Sequence, residues 1–268
     1  MHTISFVTAN YVARQVNYSM SGGWGQGDQA TNQYFRPLET FAQRFEEIVT
    51  DIKALGFDAL DLWTAHLHQT WATDQHIRIA RDILHTHQIK VVSLAGGFGA
   101  TPREFEAACN IAVEVGAKLL GGMTPLVFIN RAFVVATLNK YDLRLGIENH
   151  SEKTPDEMLA KIGDGSGGRI GTTVDTGWYG THGYDAAQAI AQLGEHVLHV
   201  HLKDVLAAGA HNSCRYGQGS VPIEACVRTL LKIGYRGAFA VEHEPDYGDP
   251  TADCKAAFDL LRGWLAAP

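Results

Sequence analysis

Four ionisable residues interrupt apolar, β-branched runs in the second half of the chain. Glu148 closes Gly146-Ile147-Glu148, Asp175 closes Thr173-Val174-Asp175, His201 ends His199-Val200-His201, and Glu242 closes Ala240-Val241-Glu242. Strands of a parallel sheet are buried on both faces, so a charge there is costly unless it is paired, hydrogen-bonded or bound to metal. Side chains alternate along a strand. If Ile147, Val174, Val200 and Val241 face a layer of helices, the four polar residues face the interior of a barrel and converge at one end. Three carboxylates and one imidazole form a ligand set for a fairly hard divalent ion such as Mn2+, Mg2+, Co2+ or Zn2+. The set has no thiolate, unlike a structural zinc site. A single such residue is often a satisfied ion pair or a buried histidine; four at matching positions of successive strands call for a common cause. The chemistry such a set points to is that of one bound divalent ion.

The elements that must position these residues recur along all 268 residues. Short runs rich in β-branched residues, at 3–8, 59–63, 90–94, 118–121, 143–148, 169–175, 197–203 and 238–242, alternate with segments patterned at helical spacing. Pro37, Thr101-Pro102 and Thr154-Pro155 stand in the first turns of helices, and Gly56, Gly116 and Gly234 stand where helices end. Eight such units imply an α/β fold, a (β/α)8 TIM barrel occupying residues 1–268 as one domain. An open doubly wound sheet would carry a Gly-rich phosphate loop after its first strand. The only candidate, residues 22–27, lies well beyond that strand and reads as leading into further loop. It is better taken as a mobile lid over the barrel mouth, with Trp24 and Tyr18 as ring surface. The longest irregular stretches, 10–36 and 204–221, follow strands and so belong at that mouth.

Composition narrows the partners. The chain is 46% hydrophobic and 19% charged, with a formal charge of −7 and no dense run of Lys or Arg, which argues against nucleic acid. Cys109, Cys214, Cys226 and Cys254 are scattered without metal-finger spacing and read as structural thiols in a reducing compartment. The first residues show no secretory leader, and no apolar stretch approaches the roughly 20 residues that span a bilayer. The expected location is cytoplasmic, with no membrane partner.

Longer motifs surround the four residues: Ile147-Glu148-Asn149-His150, Val174-Asp175-Thr176-Gly177-Trp178, His199-Val200-His201-Leu202-Lys203-Asp204 and Val241-Glu242-His243-Glu244. With Tyr216-Gly217-Gln218-Gly219 and the closing Leu231-Lys232-Ile233-Gly234-Tyr235-Arg236-Gly237, they resemble the sugar phosphate isomerase/epimerase family, whose fold is the xylose isomerase-like TIM barrel. Ketose 3-epimerases, inosose isomerases and inosose dehydratases are related to it. The resemblance implies a small carbohydrate substrate and one divalent ion, usually manganese, held by Glu148, Asp175, His201 and Glu242. It also implies that Glu148 and Glu242 form an acid/base pair working on opposite faces of the substrate, with Asp175 and His201 as ligands only. The implied activity is isomerisation or epimerisation of a keto sugar or polyol-derived ketone through an enediolate. The alternative is a lyase or dehydratase acting through the same enolate. A non-catalytic sugar-binding barrel and a nuclease relative are weaker readings. The nuclease branch needs extra histidine ligands that residues 93–97 lack.

One position departs from the resemblance: Trp178 stands where the epimerases carry a histidine three residues after the metal aspartate, and His182 is the nearest substitute. Further expected substrate contacts are Lys203, two residues beyond His201; Asp61 and Trp63, of inward parity on the second strand; His150 beside Glu148; and His211 and Arg215 in the long seventh loop. His199 falls one layer deeper than His201, as a hydrogen-bonding support, and Glu244 as an orienting group. A homo-oligomer is compatible with all of this.

Overall fold

A computed structural model describes residues 2–266. Among them eight parallel strands close a barrel: β1 (Ile4–Val7), β2 (Ala59–Trp63), β3 (Lys90–Gly97), β4 (Leu119–Met123), β5 (Arg144–Glu148), β6 (Ile170–Asp175), β7 (Val197–Leu202) and β10 (Phe239–Val241). They pair in ring order β1-β10-β7-β6-β5-β4-β3-β2, so the strands expected from periodicity are all present within a few residues of their expected ends. Between β7 and β10 a two-stranded antiparallel hairpin, β8 (Asp204–Ala207) and β9 (Ala210–Cys214), rises from the mouth.

The helices are α1 (Trp24–Phe35), α2 (Leu38–Ala54), α3 (Asp74–Thr86), α4 (Pro102–Glu114), α5 (Leu126–Ile129), α6 (Arg131–Tyr141), α7 (Pro155–Ile162), α8 (Thr176–Thr181), α9 (Ala186–Leu193), α10 (Ile223–Lys232) and α11 (Thr251–Ala266). Their starts follow local chemistry. Thr101 caps α4 by accepting from the Glu104 amide while Glu104 reaches back, and Pro102 supplies a preset first turn. Gly56, Gly116 and Gly234, expected as helix exits, adopt φ of 100, 86 and 78°, a region that favours glycine.

Alternation holds along the strands. Ile147, Val174, Val200 and Val241 are fully buried in the layer between sheet and helices. Inside the barrel, one layer below the rim, lies a polar tier rather than the usual branched aliphatics. Asp61 accepts from Ser5 Oγ and Ser93 Oγ and meets His199 Nε2, each at 2.5 Å.

Two expectations about loops are corrected. Residues 22–27 do not lead into further loop: Gly23, at φ 77°, turns the chain directly into α1, which begins at Trp24. That helix is packed, because a Cβ at Gly27 would stand 2.4 Å from the Val12 carbonyl oxygen and 2.7 Å from Met20 Sδ. Residues 204–221 are likewise ordered by the hairpin and by the buried Asp204 carboxylate, which accepts from the amides of Gly217, Gly219 and Val221 at 2.9, 3.1 and 3.0 Å. Asp204→Ala strips all three amides of their acceptor and is expected to cost about 2–4 kcal/mol, each charged hydrogen bond being worth roughly 1.5–3 kcal/mol without full additivity. A urea midpoint shift corresponding to less than about 0.5 kcal/mol would refute that role.

The four cysteines are buried and free. No helix among the described residues is long and apolar enough to cross a membrane.

Candidate metal centre and substrate pocket

The strand ends deliver their polar residues to a pocket of about 540 Å3 at the barrel mouth. At its floor the His201 ring presents Nδ1 to two carboxylates: Glu148 Oε1 at 2.6 Å and Glu242 Oε2 at 3.5 Å. Ligand atoms of these three buried residues lie within 4.8 Å of one another. Asp175, at the end of β6, stands outside that group and is joined to it through Lys203. Its Oδ1 accepts from the amides of Gly177 and Trp178 at the start of α8, and its Oδ2 lies 3.3 Å from Lys203 Nζ. Lys203 also lies 3.3 Å from Glu242 Oε1 and donates to Glu244 Oε2 at 2.9 Å, so its ammonium is engaged by three carboxylates. The stem of Lys203 crosses the start of α8 where a Cβ on Gly177 would come within 2.7 Å of it, so glycine there is a condition for the ammonium's position.

The charge balance is lopsided. Glu148, Asp175, Glu242 and Glu244 surround one ammonium and one imidazole in a buried space. Burial raises the Glu242 carboxyl well above the usual carboxylate range, and the attraction of Lys203 does not cancel it. Burial acts the same way on Glu148, but the charge and hydrogen bond of His201 outweigh it and hold that carboxyl at about 2. For His201, burial is overcome by Glu148 and Glu242, and the imidazole is raised to about 10. Glu242 Oε2 is buried with no hydrogen-bond partner among the described residues. An orphaned carboxylate oxygen beside a second carboxylate and an imidazole nitrogen is a donor set that a divalent cation satisfies, so the residues fit a metal ion.

The polar tier supports this floor from below. His199 lies under His201, their rings 5.2 Å apart and nearly perpendicular, and binds Asp61. Burial opposes ionisation of Asp61, yet His199 and the hydroxyl donors prevail and hold its carboxyl below the usual range.

The other expected contact residues divide into two groups. Trp63, His150, Trp178, Lys203 and His211 line the pocket. The Trp178 and His211 rings are stacked, with centroids 3.7 Å apart and planes at 12°, and His211 Nδ1 is tied to Thr181 Oγ1 at 2.7 Å. Burial lowers His211 to about 3, leaving it neutral. Asp61, His182 and Arg215 do not line the pocket. Asp61 is sealed beneath the floor with all its bonds internal. His182 Nε2 is bound to the His150 carbonyl at 2.8 Å, behind Trp178. Arg215 points to Asp253, 3.7 Å away.

Two wall residues had other expected roles, Glu244 as an orienting group and Trp24 as ring surface of a mobile lid. Glu244 grips Lys203 and accepts from Trp24 Nε1 at 3.3 Å. Trp24 packs edge-on against Trp63, centroids 5.3 Å apart. The repeated parity of Glu242 and Glu244 pointed to the first, whereas Trp24 is placed by a helix that hydrophobic pattern does not announce.

Residues 49–264 match the family described as the xylose isomerase-like TIM barrel, and the chain belongs to that family. No curated protein matches the sequence. Among solved structures the chain is similar to a xylose isomerase domain protein from Planctomyces limnophilus, at 21% identity and TM-score 0.67 over 81% of this chain and 90% of that one. It is also similar to a D-allulose 3-epimerase from Methylomonas sp., at 16% identity and TM-score 0.68 over 98% of both chains. A 3-keto-D-glucoside 4-epimerase from E. coli is similar at 16% identity and TM-score 0.66, over 82% of this chain and 94% of that one. At these identities the likeness speaks for the fold.

Proposed function

We propose that the protein is a divalent-metal-dependent epimerase or isomerase of a keto sugar or polyol-derived ketone. The observation that carries this reading is the meeting of Glu148 and Glu242 over His201 Nδ1 at the pocket floor. Glu148, Asp175, His201 and Glu242 would hold the ion, manganese being the best match to an oxygen-rich set with one imidazole. A bound divalent ion supplies the positive charge that stabilises an enediolate formed next to a carbonyl. The protein's own part is proton handling and placement. Glu148 ends β5 and Glu242 follows β10, three places apart around the ring, so their carboxylates reach a substrate over His201 from different sides. One takes the proton from carbon and the other returns one, to the other face for epimerisation or to the neighbouring carbon for isomerisation. Lys203 holds Glu242 and Asp175 in place against their mutual repulsion. Trp63 and Trp178 supply flat apolar surface for sugar C–H faces and keep water from the floor.

The test is incubation of the Mn2+-loaded protein with a panel of ketoses and keto glycosides in deuterated water. The expected result is deuterium gained at the carbon beside the carbonyl without loss of water. No deuterium in any of them, or water loss with a new enone absorbance, would overturn the reading, the second in favour of elimination.

A further inference from the structure

The pocket walls differ sharply in character from its floor. Lys203 is the sole lysine or arginine among the described residues that line it, and its three donors face three carboxylates. Arg215, the nearest alternative in the seventh loop, is turned to Asp253. His211 is stacked and tied to Thr181, and His150 Nε2 lies 3.8 Å from Glu148 Oε2. With Glu148, Asp175, Glu242 and Glu244 against Lys203 and a divalent ion, the pocket has no net positive formal charge even when metal is bound. Above the floor the lining is mainly aromatic and aliphatic. Trp24 and Trp63 stand on the β1–β2 side, while Trp178 and His211 stand on the β6–β7 side, across the ring. A pocket of about 540 Å3 with aromatic rings on two sides of the mouth has room for more than one ring, within the range of about 300–1,000 Å3 that encloses drug-sized ligands.

We infer that the substrate is an uncharged keto glycoside carrying an apolar or aromatic group, and that the pocket selects against sugar phosphates and sugar acids. This rests on the reading of the site as a keto-sugar pocket. A phosphate in the slot would face carboxylates with no free guanidinium or ammonium to receive it, and like-charge juxtaposition disfavours binding. An aromatic group meets aromatic side chains from both sides of the mouth.

Trp24, Trp63 and Trp178 line the pocket, so intrinsic fluorescence reports binding without turnover. The probes are D-fructose, D-fructose 6-phosphate and phenyl 3-keto-β-D-glucopyranoside, titrated into the Mn2+-loaded protein at fixed free Mn2+. The phenyl keto glucoside is expected to bind about tenfold or more tightly than fructose, with most of that gain lost in Trp178→Ala. Fructose 6-phosphate is expected to bind about tenfold or more weakly than fructose, the gap narrowing as salt is raised. The inference is overturned if the phosphate ester binds as well as fructose or better, if the phenyl group adds nothing, or if none of the three binds. The expected binding order without deuterium exchange would overturn the proposed reaction alone. Exchange with the order reversed would overturn the substrate class alone.

Discussion

Glu148→Gln and Glu242→Gln each lose turnover by about 10^2–10^4-fold, the range typical of removing a positioned acid or base, while both proteins stay folded. Glutamine keeps the volume of glutamate and can still accept a hydrogen bond, so the local packing survives, but it carries no proton and is a poor ligand for a hard cation. The two variants differ in stability. Glu148 is the main partner of His201, so its loss leaves a buried imidazole less well compensated and lowers the melting temperature. Glu242 is one of four crowded carboxylates and has an unpartnered oxygen, so the metal-free Glu242→Gln protein is at least as stable as the metal-free parent. Steady-state rates on whichever substrate the deuterium assay identifies, paired with thermal melts in chelator, check both halves. Either variant retaining nearly full activity would remove it from the acid/base pair.

Asp61→Ala is expected to act through the fold instead. It removes the common partner of Ser5, Ser93 and His199 inside the barrel. Removing the shared acceptor of three buried hydrogen bonds, each worth roughly 1.5–3 kcal/mol at a charged group without full additivity, costs about 3–5 kcal/mol. At roughly 2–4 °C per kcal/mol for chains of this size, the melting temperature falls by on the order of 10 °C. The pH dependence follows from the depressed carboxyl. A group held below its ordinary value of about 3.9 contributes stability that is fully present above that pH and is lost as pH falls through the folded value. Parent and variant therefore differ most near neutrality and converge in acid. An Asp61→Ala protein with unchanged melting behaviour and only a raised KM would restore Asp61 as a substrate contact.

Asp61 also shows where sequence reading stops. Parity assigns a residue to the inside of a barrel, but depth depends on strand stagger. Asp61 pairs with Ser93 and Val7 at the level of the polar tier, whereas Trp63, two residues on, reaches the rim. The four floor residues were legible because each stands within one residue of the end of a buried strand, and burial makes a charge conspicuous. Trp178 and His211 were legible as candidates but not as a stacked pair, since their contact joins a short helix to a hairpin. The helix starting at Trp24 was hidden by Gly25 and Gly27, poor helix formers in isolation; Gly27 is kept by its close approach to Val12 and Met20. His182 and Arg215 sit in loops, where proximity in sequence says little about which way a side chain turns.

The metal content of the protein tests the account most directly. After chelation and dialysis, titration with Mn2+ followed by elemental analysis is predicted to show uptake of about one equivalent per chain, sharply reduced in His201→Ala and Asp175→Ala. A folded parent protein that retains less than about a tenth of an equivalent and takes up none from added Mn2+ would contradict the metal centre on which the proposed chemistry depends.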